Sequence, residues 1–60
     1  MRPKTIGEKI KKKRLDLDLY QKDVAQIIGV TTDTINLWEN GRTKPHKENI
    51  QKIMRFLENQ

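Results

Sequence analysis

Residues 21–40 read QKDVAQIIGVTTDTINLWEN, and the spacing of apolar residues divides this run into two short helices. In the first, about Gln21 to Ile28, Val24, Ala25 and Ile28 share one side. Gly29 ends it, because only glycine takes the left-handed C′ conformation without steric cost. Val30 follows, and Thr31 or Thr32 is suited to cap a second helix running to about Asn40. Ala25 is small at the point where two helices crossing near 90–120° would touch. Val24, Ile28, Val30, Ile35 and Trp38 are placed to fill the angle between them. The run therefore reads as an αα corner.

What distinguishes this corner is its outer face. At about 100° per residue, Thr34, Ile35 and Trp38 point inward, while Thr32, Asp33, Asn36, Leu37 and Asn40 point outward. That outer face is short, polar and almost uncharged, which suits a surface that meets base edges in duplex DNA. Asn pairs with adenine N6 and N7, a carboxylate accepts from cytosine N4, and Thr or Leu touches the thymine methyl. Asp33 has a second reading, as a favourable charge at a helix N-terminus. Trp38 belongs to the core, since a duplex offers no free base faces.

Outward from the corner, two further helices complete an all-α bundle. One runs from about Thr5 to Asp16, with Pro3 ahead of it, Ile6 and Ile10 one turn apart, and Lys9, Lys11, Lys12 and Lys13 facing water. Leu17 and Leu19 continue its apolar side. Asn40-Gly41 stops the corner's second helix and Pro45 marks a loop. The last helix, about Lys47 to Glu58, carries Ile50, Ile53, Met54 and Leu57 at i, i+3, i+4 and i+7, an inward stripe. Phe56 lies beside that stripe, open to a role in the core or in a dimer patch. No segment alternates as a strand does.

Sixty residues make a single domain, 1–60, with a thin core. With no cysteine, neither disulfides nor thiolate metal sites hold it together. The net charge is +5, and the basic residues are unevenly placed: seven of the 13 fall in positions 1–14, five between Arg42 and Arg55, and only Lys22 between 15 and 40. Two basic flanks around a nearly lysine-free centre fit a polyanion binder that holds phosphates at its edges. The KIKKKR run at 9–14 reads as a solvated helix face. His46, the single histidine, reads as a loop residue. No Ser or Cys nucleophile, glycine-rich phosphate loop or metal-ligand cluster is present, which argues against an enzyme and against a cofactor or small-molecule ligand. No apolar run approaches the length of a membrane span, and no apolar stretch of the signal-peptide kind follows the basic N-terminus. A cytoplasmic, nucleoid-associated protein is expected.

The runs LYQKDVAQIIGV and TINLWENGRTKP resemble the lambda-repressor-like, or Xre/Cro-type, helix-turn-helix family. The KPHKENIQKIMRFL segment resembles a small phage-like or integrase-associated subgroup. The resemblance covers about Ile6 to Leu57. It implies a compact four-helix bundle that binds double-stranded DNA, with helix 32–40 in the major groove. It also implies a repressor-like regulatory role and the possibility of a homodimer on a palindromic operator. By position, it assigns base contacts to Thr31, Thr32, Asp33, Asn36 and Leu37. It assigns phosphate contacts to Gln21, Asn40, Arg42 and Lys44, and a structural ion pair to Arg14 and Glu39.

Two features depart from the family pattern. Tyr20 stands where Thr or Ser usually caps the second helix, so in place of capping it is expected to pack on Leu17 or, as the alternative, to reach a phosphate with its hydroxyl. The chain ends without a fifth helix, which leaves its mode of dimerisation open. Two alternatives of other kinds accompany this reading: an antitoxin of the same fold that also holds a toxin, and a helical adaptor that binds only protein.

Overall fold

The computed structural model describes residues 4–58; Arg2 and Pro3 lie outside them. Among the described residues there are four helices and no strand: α1 (Ile6–Asp16), α2 (Gln21–Ile28), α3 (Thr32–Glu39) and α4 (Lys47–Glu58). Each expected helix is present within a residue of its expected bounds. None is long and apolar enough to cross a membrane.

Helix starts follow local chemistry. Thr5 caps α1, its Oγ1 accepting from the Glu8 N–H at 3.1 Å, and Thr31 caps α3, accepting from the Thr34 N–H at 3.2 Å. Thr5 is therefore the cap of α1 rather than its first turn. At α2 the Tyr20 side chain makes no cap. Asp23 answers from within the helix, its Oδ2 accepting from the Tyr20 N–H at 2.8 Å, which is the reciprocal half of a capping box.

The first three helices end alike. Leu19, Val30 and Arg42 donate their N–H groups back to the carbonyls of Arg14, Ala25 and Leu37 at 2.9 Å, the long bond of a Schellman turn. The residues just inside those turns have positive φ: Asp18 at 61°, Gly29 at 93° and Gly41 at 73°. Two are glycines, as the conformation favours. Asp18 is not.

The core consists of Ile10, Val24, Ala25, Ile28, Ile35, Trp38, Ile53 and Phe56, with Ile6, Leu17, Leu19, Val30 and Leu57 packed around it. Gly7 lets α1 lie directly on the end of α3: a Cβ there would stand 1.8 Å from the Trp38 carbonyl oxygen.

Helix α4 differs from expectation. Ile53 is buried and Leu57 partly so, but Ile50 and Met54 are 39% and 42% exposed, and Phe56 is buried instead. The helix packs on α1 and α2, so only a narrow strip of it meets the bundle. The Phe56 ring, with the largest apolar area to bury on this helix, turns that strip toward itself. Phe56 is thus a core residue.

Candidate nucleic-acid interface

The inner side of α3 is anchored by Ile35 and Trp38, which are buried, so its orientation is fixed by the core. Its outer side carries Thr32, Asp33, Asn36, Leu37 and Asn40, all exposed. These are the five residues that helical geometry directs outward. Thr31, just ahead of the helix, is also exposed, but its hydroxyl is occupied by capping and by the Thr34 hydroxyl at 2.7 Å. Its methyl group and one remaining hydrogen-bonding position of the hydroxyl are left to offer.

Behind this face lies a polar network. Arg14 on α1 reaches Glu39 at the end of α3 through two parallel bonds, Nε to Oε2 at 2.8 Å and Nη2 to Oε1 at 3.1 Å. The side chains are 13% and 3% exposed. This is the fork-to-fork geometry in which a guanidinium holds a carboxylate most firmly. Arg14 Nη1 also donates to the Leu19 carbonyl at 3.1 Å, fixing the turn between α1 and α2.

The network continues to the surface. Gln21 Nε2 donates to Glu39 Oε1 at 3.1 Å and, more weakly, to Asn36 Oδ1 at 3.4 Å. Asn40 Nδ2 donates to the same Asn36 oxygen at 3.0 Å. Five residues from three helices thus form one chain of hydrogen bonds running from a part-buried ion pair to the outer face. Sequence reasoning paired Arg14 with Glu39 and treated Gln21, Asn36 and Asn40 as independent contacts. Their connection depends on how α2 crosses α3, which no spacing rule carries.

The remaining residues singled out in the sequence lie on other elements. Arg42 and Lys44 are exposed in the loop after α3, which the Gly41 turn directs away from the helix. His46 is an exposed loop residue whose carbonyl accepts the Ile50 N–H at 3.0 Å. Tyr20 is 70% exposed, with the Lys22 ammonium 5.7 Å from its ring centre, a cation–π distance. So exposed a ring is not held by packing on Leu17. On α1, Lys9, Lys11 and Lys12 face water as expected and Lys12 bonds Asp16 at 2.9 Å, whereas Lys13 is half-buried.

Residues 10–59 match the helix-turn-helix family model. The chain is 44% identical over 56 residues to the type II methyltransferase M1.ScrFI of Lactococcus lactis subsp. cremoris, 88% of this chain and 14% of that protein. It is 29% identical to repressor protein C2 of Salmonella phage P22, over 97% of this chain and 27% of the repressor. It is 38% identical to the cryptic phage CTXphi transcriptional repressor RstR of Vibrio cholerae, over 85% of this chain and 46% of that protein. The chain therefore spans less than half the length of each of these relatives. Among solved structures, the DNA-binding domain of the P22 C2 repressor superposes with a TM-score of 0.81 at 30% identity, over 95% of this chain and 75% of that domain.

Proposed function

The chain belongs to the helix-turn-helix family, and from that membership we propose that it is a sequence-specific binder of double-stranded DNA, acting as a repressor-like transcriptional regulator with α3 in the major groove. The observation that carries this reading is the outer face of α3: short, polar side chains, exposed on a helix whose inner side is locked into the core. Two of the similar proteins are named as repressors, and the superposed structure is named as a DNA-binding domain.

In this reading Thr31, Thr32, Asp33, Asn36 and Leu37 meet base edges. Asn40, Arg42 and Lys44 hold phosphates, together with Gln21 at the N-terminus of α2, where helix N–H groups favour an anion. The role is one of binding rather than catalysis, in keeping with the family and with the superposed DNA-binding domain. A second copy on a palindromic operator, on the nucleoid in the cytoplasm, completes the proposal.

Selection of bound sites from random duplexes by the pure protein tests it. A single enriched motif is the expected result, and inverted half-sites within it are expected if two copies bind together. Recovery of unenriched sequence removes the reading.

A further inference from the structure

The network behind α3 has a direction. Glu39 is bound to Arg14 through both carboxylate oxygens and has only acceptors to offer. Gln21 must therefore turn its amide NH2, not its oxygen, toward Glu39. One proton of that NH2 goes to Glu39 Oε1 and the other lies toward Asn36, 3.4 Å from its side-chain oxygen. The Asn40 NH2 donates to the same oxygen at 3.0 Å. The orientation of an amide is settled by its partners: the Gln21 NH2, fixed by Glu39, sets that of Asn36, and Asn40 follows by donating to the same oxygen. Asn36 Oδ1 therefore faces Gln21 and Asn40, and its NH2 is turned away from them.

Building on the DNA-binding reading, we propose that Gln21, held by Glu39, sets the polarity of the Asn36 amide, so that Asn36 reads hydrogen-bond acceptors in the major groove and discriminates against adenine. The usual pairing of Asn with adenine needs an outward oxygen for N6–H2 beside an outward NH2 for N7. Asn36 lacks the first. Guanine offers acceptors at both N7 and O6, and thymine offers O4; either satisfies an outward NH2. Gln21 is a positioning residue in this scheme, touching no base through its side-chain amide, while its backbone N–H remains for a phosphate.

Site selection with four proteins tests the proposal: the parent chain, Asn36→Ala, Gln21→Met and Asn36→Asp. Thermal unfolding of each confirms that it is folded. Asn36→Ala identifies the base position that Asn36 reads, as the one whose preference disappears. There the parent should favour guanine or thymine over adenine, roughly three- to tenfold for one hydrogen bond. Gln21→Met removes the donor that Glu39 fixes, leaving the Asn36 and Asn40 amides free to turn over as a pair, and should bring adenine at least level.

Asn36→Asp keeps an oxygen toward Gln21 and Asn40 but presents a second oxygen outward. The purine preference should then reverse from guanine to adenine, whose 6-position donates. A merely structural role for these residues would not reverse a preference. Adenine selected by the parent at that position, an unchanged preference in Asn36→Asp, or no position responding to Asn36→Ala would each overturn the proposal while leaving DNA binding intact. Failure of the parent to enrich any site would overturn both.

Discussion

Gly7 shows how much one absent methyl group can decide. In an ordinary helix interior, Gly→Ala gains about 1 kcal/mol. Here the added carbon would lie 1.8 Å from the Trp38 oxygen and 2.7 Å from its carbonyl carbon, backbone atoms that cannot rotate away. Gly7→Ala should reverse the usual sign and cost about 2–3 kcal/mol through overpacking; an unchanged thermal midpoint would mean that α1 does not lie on α3 in this way. The sequence held a faint signal, a glycine in mid-pattern one turn before Ile10, but the pattern has no means of naming Trp38 as its neighbour. On the outer face legibility was greater, because helical rotation alone selects Thr32, Asp33, Asn36, Leu37 and Asn40. Asn36 and Arg42 should separate reading from gripping. Asn36→Ala should weaken the preferred site by about 1 kcal/mol, the worth of a hydrogen bond, and barely affect random duplex. Arg42→Ala should weaken both by a similar factor. Competition binding on the two duplexes measures the contrast, and equal losses for Asn36→Ala would move base reading to Thr32 and Asp33.

At the scale of elements, caps and stops were the most legible features, because they rest on chemistry within four or five residues. Gly29 and Gly41 announced their turns. Asp18 did not, since it takes the same left-handed conformation at φ 61° without being glycine. That conformation costs a side-chain-bearing residue about 1–2 kcal/mol, against about 0.5–1 kcal/mol for the extra unfolded-state freedom of glycine. Asp18→Gly should therefore raise stability by about 0.5 kcal/mol or slightly more, read as a shifted denaturation midpoint; a loss would show that the Asp18 side chain holds the turn. Helix α4 was legible in extent but not in rotation. Its apolar residues cover a wide arc, and only the volume of Phe56 against α1 and α2 selects the buried part. Between elements, the Arg14–Glu39 pair is buried enough that removing one partner strands a charge at about 3–5 kcal/mol. In a double-mutant cycle, Arg14→Met with Glu39→Gln should be more stable than the sum of the single losses by about 1–3 kcal/mol, and strict additivity would mean that the pair does not hold the helices together.

As a whole, 60 folded residues have roughly 3–9 kcal/mol of stability, so several of the losses above approach the total. The same smallness concentrates charge. With Gly7 against Trp38, the start of α1 packs on the end of α3, which leads into the loop bearing Arg42 and Lys44. A handful of phosphate contacts there should give a log–log dependence of DNA affinity on salt with slope of about −3 to −6 per copy. A flat response in a salt titration would leave the basic flanks without a role. The overall helix order was legible because each helix carries its own apolar side; the polar wiring was not, because its links between helices join residues 15 to 25 positions apart. That wiring divides the outer face into two kinds of position. Among the described residues, the side chains of Thr32, Asp33 and Leu37 make no bond to the scaffold, whereas Asn36 and Asn40 are tied through Gln21 to the ion pair. Under mutational drift the first group can be exchanged one residue at a time, giving descendants that answer to new operators on an unaltered frame. The second group can change only in concert. A lineage built on this chain would diversify quickly at the leading end of α3 and remain conservative at its trailing end.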